Sequence, residues 1–352
     1  MSNNLNKNFW TDLYLKKKGK EPIFVLAPMA DVTDFVFRNL IKEKSEFGTE
    51  NSFLDVFWTE FVSVNGLADL RGREALIKDL RFDKSEMPII AQIFGDDYSK
   101  YSEVAKLCED LGFAGVDINM GCPDKNVTGQ KAGAYLINIP EISKKIVAET
   151  KVGAKKIPVS VKTRIGYNKI EWREWLGEIL KTKPQVITIH LRTKKEMSLV
   201  PAHWELAPEI VTWIHKNFGT VEEGGPIIIF NGDIKTPKEG ILKWKETGCD
   251  GVMIGRRIFG NPWLFNRNIK KENLSLKEIL LIAAEHAKRF EKELDFKNFN
   301  IMKKHFKAYV HGFKGAKELR MKLMETKNSK EVEKIIKKFL FWRNLRKIFL
   351  LK

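Results

Sequence analysis

The sequence predicts an α/β protein, a (β/α)8 TIM barrel followed by a smaller all-α helical-bundle domain. Eight short apolar runs recur along the chain, at residues 23–27, 56–61, 88–95, 115–119, 158–164, 186–190, 226–230 and 251–255. Most of them are separated by a segment long enough for a helix, the pattern of alternating β and α units around a parallel sheet. Eight units over roughly 240 residues match the size of a barrel. A doubly wound open sheet is the alternative, but the first strand–helix turn lacks the glycine fingerprint of a dinucleotide-binding fold.

The segments between the strands support this assignment in order along the chain. The first strand ends at Pro28-Met29-Ala30, and a helix is expected from about Phe35, where Asp34 can accept hydrogen bonds from the amides of the first turn. Another helix is expected over residues 98–111, after the third strand. After residue 265 the pattern changes to lysine-rich segments with helical apolar spacing, at residues 275–294, 301–312 and 330–349.

Polar or glycine residues stand at the carboxyl end of nearly every predicted strand. They are Gln92, Asn119, Lys162, Arg164, His190, Arg192, Asn231, Gly232, Asp233, Gly255 and Arg256. One such residue has an ordinary structural explanation, such as a core histidine or a lysine that reaches out to solvent. In a barrel, however, these strand ends converge on one face, where barrel enzymes build their active sites. The sequence therefore predicts a functional site on that face.

The last two strands carry the features of a phosphate site. Asn231-Gly232-Asp233 and Gly255-Arg256 combine glycines, which allow close backbone approach, with an arginine, which offers several donors. The loops after these strands bind phosphate in many barrels. A phosphorylated cofactor or substrate is expected, with Lys162 and His190 on its non-phosphate part. No metal is expected, because His190 has no neighbouring ligand residues.

Cys122 lies in the segment Asp117-Ile118-Asn119-Met120-Gly121-Cys122-Pro123, directly after the fourth predicted strand. This places a thiol on a glycine-bearing loop that can approach a ligand. The alternative is a free cysteine that packs as a small apolar residue. The three cysteines are too scattered for a disulfide framework or a metal site, so we expect a reducing, cytoplasmic compartment. No secretory signal is expected at the N-terminus, and no apolar run is long enough for a transmembrane helix.

The net charge of +17 is concentrated in the last quarter of the chain. Residues 266–352 hold 24 Lys and Arg against 10 Asp and Glu. Val332, Ile335, Ile336 and Phe339 form one apolar stripe, with Lys334, Lys337 and Lys338 beside it. We therefore predict a barrel domain over residues 1–265 and a basic helical domain over residues 266–352 that binds a polyanion, most simply nucleic acid. A solubilising lysine-rich surface and a membrane-surface helix are the alternatives.

Taken together, these motifs resemble the tRNA-dihydrouridine synthase family. The matching segments run in the family's order from about residue 23 to residue 265: Ala27-Pro28-Met29-Ala30 with Thr33-Asp34, Gln92-Ile93-Phe94-Gly95, Asp117 to Pro123 with Gly129 to Leu136, Val161-Lys162-Thr163-Arg164, His190-Leu191-Arg192-Thr193, Asn231-Gly232-Asp233 and Gly251 to Phe259. The Asn-x-Gly-Cys-Pro segment is highly specific, and the tail matches only in being helical and basic. The sequence departs from the family at Leu191, where glycine is usual, and in a longer first loop over residues 43–55.

The resemblance implies a flavin enzyme that binds FMN, takes electrons from NADPH or NADH, and reduces the C5–C6 double bond of uridine in tRNA. Cys122 would be the general acid, since a thiol with a pKa of about 8.5 is mostly protonated at neutral pH. Substrate would contact Asn119, Arg164 and Arg192. FMN would be held by Pro28, Met29, Ala30, Gln92, Lys162, His190, Asn231, Gly232, Asp233, Gly255 and Arg256. A monomer without membrane attachment is expected.

Two other functions are compatible with parts of the sequence. An FMN barrel that reduces a small pyrimidine or enone, in the manner of dihydroorotate dehydrogenase, would explain the barrel but not the basic tail. A non-catalytic RNA-binding protein would explain the tail, but it would have no use for Cys122, Lys162 and Arg256. Turnover by a tRNA enzyme should fall steeply as the salt concentration rises, whereas turnover of a small substrate should not. A purified protein without the yellow colour of a flavin would favour the non-catalytic RNA-binding protein.

Overall fold

The computed structural model describes residues 7–349, with side chains up to residue 343. Eight parallel strands follow one another in the order β1-β8-β7-β6-β5-β4-β3-β2. A parallel bridge between Val25 and Val56, with the Leu26 amide donating to the Val56 carbonyl over 3.4 Å, joins the first strand to the start of the second. The predicted eight-stranded barrel is therefore confirmed. The strands are β1 (Ile23–Leu26), β2 (Phe57–Ser63), β3 (Ile89–Phe94), β4 (Gly115–Met120), β5 (Val159–Arg164), β6 (Val186–His190), β7 (Ile227–Asn231) and β8 (Gly251–Ile254).

The interior of the barrel is divided along the strand direction. Its amino-end half is a buried apolar cluster that includes Val25, Trp58, Ile90, Ile229 and Met253. Residues two positions further along each strand share the same inward face, because side chains alternate along a strand. Two positions beyond Ile90, Ile229 and Met253 lie Gln92, Asn231 and Gly255, three of the residues that the sequence singled out. The apolar amino-end half stabilises the packing of the strands, and the carboxyl-end half can form a binding site.

Fourteen α-helices occur in residues 7–349. They are α1 (Phe9–Lys17), α2 (Phe35–Ser45), α3 (Val64–Ala68), α4 (Leu70–Leu76), α5 (Tyr101–Asp110), α6 (Lys125–Gly129), α7 (Pro140–Gly153), α8 (Trp172–Leu180), α9 (Ala207–Phe218), α10 (Pro237–Thr247), α11 (Leu276–Glu293), α12 (Met302–Tyr309), α13 (Ala316–Met324) and α14 (Ser329–Phe349). Asp34 caps α2 as predicted, accepting from the Phe37 amide over 2.9 Å. None of the helices in this part of the chain combines the length and apolar character needed to cross a bilayer.

The chain forms two compact units, and each unit consists of two separate stretches of the sequence. The first unit runs up to Thr33 and resumes over Leu54–Gly255, and the second consists of Asp34–Phe53 and the chain from Arg256 onward. Within the second unit, Glu43 on α2 accepts two hydrogen bonds from Arg289 on α11, over 2.6 and 2.9 Å. Residues 43–53 of the long first loop thus belong to the helical unit. Domain boundaries at residues 265 and 266 stay a prediction.

The tail helices have the predicted character. Helices α11, α12 and α14 occupy the predicted segments, with Val332 and Ile336 fully buried and Lys334, Lys337 and Lys338 exposed. Helix α13 was not predicted. It follows two glycines in the left-handed conformation, Gly312 and Gly315, and its sequence offers a weak apolar pattern, with Leu319 and Leu323 as its large buried side chains.

Two buried histidines form part of the core of the helical unit. His286 and His305 are fully buried with ring centroids 4.5 Å apart, and Phe37 stacks on His286 at 4.9 Å. Among residues 7–349, no group hydrogen bonds to the His286 Nε2 atom or to either ring nitrogen of His305. Burial lowers the pKa of His286 well below its usual range, helped by His305 and Arg289, and burial with the charge of Lys304 lowers the pKa of His305 to about 3.

We expect this pair to make the helical unit sensitive to acid. Both groups have a folded-state pKa below the unfolded value of about 6.5, so the unfolded state binds more protons and stability is lost as pH falls below about 6.5. Each buried histidine should lower the free energy of unfolding by about 2 kcal/mol at about pH 5. Thermal unfolding of the wild type and of His305→Phe at neutral and acidic pH checks this. The variant should lose less stability on acidification, and an equal loss would contradict the prediction.

Candidate active site

A continuous hydrogen-bonded network runs from the barrel interior to the Cys122 loop. Ser160 Oγ donates to Asp117 Oδ1 over 2.6 Å, and Gln92 Nε2 donates to Asp117 Oδ2 over 2.7 Å. Asn119 Nδ2 donates to Gln92 Oε1 over 3.0 Å. The Asn119 side-chain oxygen in turn accepts from the Gly121 and Cys122 amides, over 3.1 and 2.9 Å. Each amide side chain in the network is thus oriented by its neighbour.

Asp117 is the innermost carboxyl of this network and is fully buried. Burial raises its pKa to about 6, although the hydrogen bonds from Gln92 and Ser160 and the charge of Lys162 act in the opposite direction. Because the carboxylate only accepts hydrogen bonds, it obliges Gln92 to present its amide nitrogen inward and its oxygen towards Asn119. The orientation of the Cys122 loop therefore depends on Asp117.

Replacing Asp117 by Ala should disorder this loop without removing any predicted catalytic group. The Gln92 amide and the Ser160 hydroxyl would lose their buried acceptor, at a cost of about 1–3 kcal/mol for each unsatisfied group. We expect a lower melting temperature and a large loss of activity for Asp117→Ala. The isosteric Asp117→Asn variant can still accept one of the two hydrogen bonds. Its melting temperature and activity should therefore lie between those of the wild type and those of Asp117→Ala. A fully active Ala variant would show that the network does not position the site.

Two glycines shape the loop that carries Cys122. Gly133 has a φ of +60°, and a Cβ atom there would lie 2.9 Å from the Cys122 carbonyl oxygen and 3.2 Å from its Cβ. A Cβ atom on Gly121 would lie 3.3 Å from the Thr163 backbone. The Ala134 amide donates to the Cys122 carbonyl over 3.0 Å, so the following 3₁₀ turn, Gly133–Asn138, is tied to the cysteine.

The Cys122 thiol is half-buried, unlike the fully buried Cys108 and Cys249. Burial raises the pKa of the Cys122 thiol, while the nearby charges of Arg164 and Lys162 lower it and the Asp124 charge raises it. The net shift is upward. The group is therefore a neutral thiol at neutral pH, which can donate a proton and is a poor nucleophile.

Lys162 lies in the middle of the polar strand ends. Its Cα is paired in register with Asn119 on β4 and Thr188 on β6. Burial lowers its pKa to about 8, followed by repulsion from Arg164 and opposed by Asp117 and Cys122. Among the described residues, the buried Oγ1 atom of Thr188, the β6 residue paired with Lys162, has no hydrogen-bond partner. A cation so placed is suited to an anionic ligand.

The ends of β6 and β7 are joined through Arg192. This buried guanidinium contacts the Asp233 carboxylate, lies with Nη1 3.1 Å from His190 Nε2, and donates to the Val200 carbonyl over 2.7 Å. Asn231 Nδ2 donates to the Met253 carbonyl over 2.8 Å, and the Gly232 carbonyl accepts from Trp204 Nε1 over 2.8 Å. Gly232 has a φ of +143°, which favours glycine.

Arg164 is also buried, and it donates hydrogen bonds to three backbone carbonyls. It donates to Gly121 over 2.7 Å, to Thr193 over 3.1 Å and to Met197 over 3.4 Å. One guanidinium thus links the Cys122 loop to the loop after β6. The sequence predicted a substrate contact for Arg164, and the geometry adds a role in holding two loops together.

The remaining predicted residues lie at the ends of β1 and β8. Pro28, Met29 and Ala30 form a turn in which the Met29 amide donates to Thr33 Oγ1 over 2.9 Å. A Cβ atom on Gly255 would lie 3.8 Å from Met29 Sδ, so these two strand ends are neighbours. Arg256 is exposed in a 3₁₀ turn, Arg256–Ile258, that begins the second part of the helical unit.

Sequence reasoning missed the supporting residues of the site. Ser160 was not singled out, although it shares a strand face with Lys162, two residues on, and that spacing could have indicated it. The partners of Arg164 could not be foreseen, because they are backbone groups of distant loops. Residues 7–349 contain no group of three or more His, Cys, Asp or Glu side chains arranged to hold a metal ion.

The family model and the similar proteins that match this chain agree on one family. The family model described as dihydrouridine synthase (Dus) matches residues 25–343. A probable tRNA-dihydrouridine synthase 2 of Bacillus subtilis (strain 168) is 39% identical over 339 residues, 95% of this chain and 97% of that protein. A probable tRNA-dihydrouridine synthase of Staphylococcus aureus (strain MRSA252) is 37% identical over 95% of this chain and 96% of that protein. Among solved structures, morphinone reductase gives a TM-score of 0.46 at 11% identity, over 69% of this chain and 84% of that one.

Proposed function

The chain belongs to the dihydrouridine synthase family, and we propose on that basis that it reduces uridine to dihydrouridine in tRNA, using FMN and a nicotinamide reductant. The observation that carries this proposal is the hydrogen-bonded network that orients the loop of the half-buried Cys122. Its member Asn119 is paired in register with the half-buried Lys162. The reaction is inferred from the family, and the roles of the individual side chains are inferred from the geometry of the site.

The donor set at the strand ends fits FMN. The Lys162 ammonium, whose pKa burial lowers to about 8, matches the negative charge that a reduced flavin ring carries. The glycines after β7 and β8, with Arg256, suit the phosphate. We propose that FMN is held by the ring of residues that the sequence indicated: Pro28, Met29, Ala30, Gln92, Lys162, His190, Asn231, Gly232, Asp233, Gly255 and Arg256.

The chemistry that FMN would supply when bound, after reduction by NADPH or NADH, is a hydride for C6 of the uracil ring. Electron density then builds up at C5, and Cys122 Sγ–H transfers its proton to that carbon, which completes the addition of two hydrogens across the double bond. The raised pKa of Cys122 keeps the proton available at neutral pH. The network from Asp117 to Asn119 fixes the loop so that the thiol faces the base. Asn119, Arg164 and Arg192 are the proposed substrate contacts.

The basic helical unit supports tRNA as the substrate rather than a small pyrimidine or enone. A base inside folded tRNA must be extruded to reach a barrel site, and the surrounding phosphates must be held. Turnover with tRNA should therefore weaken steeply as salt rises. A purified protein that makes dihydrouridine in unmodified tRNA in the presence of NADPH would support the proposal. Reduction of free pyrimidines alone, with no salt dependence, would favour the small-substrate alternative.

Lys162 gives a pH test of the cofactor site. Its pKa is about 8 in the flavin-free protein, so it carries its charge near neutral pH and loses it as pH rises above about 8. Because FMN is expected to bind the charged form, its dissociation constant should increase about tenfold between about pH 7 and pH 9. Titration of the flavin-free protein with FMN, followed by flavin fluorescence, measures this.

Lys162→Arg is the matched control, because arginine keeps its charge throughout this range. Its affinity for FMN should be nearly constant between the two pH values. An equal pH dependence in both proteins would show that Lys162 does not face the cofactor.

A further inference from the structure

Three side chains at the mouth of the barrel form a cluster that the proposed chemistry does not use. We call Tyr135, Tyr167 and Lys194 the mouth cluster. The two phenol rings meet edge to face with centroids 6.0 Å apart, and Lys194 Nζ lies 5.0 Å from the centroid of the Tyr167 ring. All three are half-buried. They come from the loops after β4, β5 and β6, which follow the carboxyl ends of the strands.

The mouth cluster is tied to the Cys122 loop on both sides. Tyr135 lies in the 3₁₀ turn whose Ala134 amide donates to the Cys122 carbonyl. On the other side, Arg164 bridges the Gly121 and Thr193 carbonyls, and Lys194 is the next residue. The Lys194 and Lys195 amides donate to the Gly166 and Tyr167 carbonyls, each over 2.9 Å, which joins the loops after β5 and β6. The cluster is therefore held in a fixed position beside the thiol.

The charge around the cluster is cationic. Exposed lysines in the same three loops are Lys125, Lys131, Lys169 and Lys195. The acidic groups there are engaged: Glu171 accepts from the Tyr167 amide over 3.0 Å, Glu196 pairs with His203, and Asp124 caps α6. Aromatic rings interleaved with lysines are the composition that binds nucleic acid strands, with rings against bases and ammonium groups on phosphates.

We propose that the mouth cluster contacts the RNA strand beside the extruded uridine, with Lys194 Nζ on a backbone phosphate and the two tyrosine rings against the neighbouring nucleotide. This inference rests on the proposed tRNA activity and adds a second RNA contact, in the barrel, to the basic helical unit. In this proposal, the loops after β4, β5 and β6 recognise the nucleotides next to the target uridine.

The test uses the full-length FMN-loaded protein and an unmodified tRNA transcript. Tyr167→Leu should raise the dissociation constant and KM for tRNA about tenfold, since stacking on one ring is lost. Lys194→Gln should raise them about fivefold and reduce the slope of log affinity against log salt by about 1, as expected for one lost phosphate contact. Tyr167→Phe and Lys194→Arg should bind nearly as the wild type does. The rate of flavin reduction by NADPH should be unchanged in all four.

Lys245→Gln is the matched charge control, because this exposed lysine is at the end of α10 that leads into β8, on the opposite face of the barrel. It should leave tRNA binding unchanged. Wild-type affinity and salt slope in Tyr167→Leu and Lys194→Gln would overturn the inference, and so would a raised KM for NADPH with unchanged tRNA binding. If the wild type itself makes no dihydrouridine, the proposed function fails, which is distinguishable from failure of the mouth cluster alone.

Discussion

Cys122→Ala should lose dihydrouridine formation while it retains the flavin. Removal of a general acid costs about 10²- to 10⁴-fold in rate, and the other two cysteines, Cys108 and Cys249, are buried. The loop itself should persist, because the Asn119 side chain bonds to backbone amides and not to the thiol. Stopped-flow measurement separates the two half-reactions: reduction of flavin by NADPH should match the wild type, and reoxidation by tRNA should be slowed.

Cys122→Ser is the conservative control. A hydroxyl occupies nearly the same volume but is a far weaker acid than a thiol, so the serine variant should also be slow. Wild-type reoxidation rates in the alanine variant would remove Cys122 from the mechanism. Equal slowing of both half-reactions would instead indicate a damaged flavin site.

Neutralising lysines on the surface of the helical unit should strongly weaken tRNA binding, the second largest effect that we expect. Helices α13 and α14 flank a groove of about 880 Å³ with exposed Lys314, Lys322, Lys334 and Lys338 in its lining. The fourfold Lys→Gln variant should weaken tRNA binding on the order of 10²-fold at about 0.15 M salt and reduce the salt slope by about 3. FMN content and flavin reduction should not change.

A fourfold Lys→Gln variant on the other face of the barrel is the matched control. Lys20, Lys155, Lys216 and Lys245 are exposed where helices lead into strands, opposite the site. This variant has the same net charge as the first, so a purely non-specific charge effect would weaken both equally. Unchanged tRNA affinity in the tail variant would contradict the role given to the helical unit. Point substitutions are preferable to truncation, because α2 packs Phe37 against His286 of the tail.

The sequence predicted the barrel and the site to the extent that local patterns determine them. The strands were predictable because each is a short apolar run, and the site residues because period-two alternation and chain direction put Gln92, Lys162 and His190 at one end of the sheet. The membership of α2 in the helical unit was not predictable, since it depends on long-range pairs such as Glu43 with Arg289. The same holds for Arg164, whose partners are carbonyls of distant loops.

The most direct test of the account is to map dihydrouridine in tRNA from cells with and without this protein. Loss of the gene should remove dihydrouridine from one or more tRNA positions, with each affected base lighter by two hydrogen atoms in mass spectrometry of tRNA fragments. The wild-type gene should restore the modification, and the gene encoding Cys122→Ala should not. An unchanged dihydrouridine map after loss of the gene, with no other protein of the family in the cell, would contradict the account.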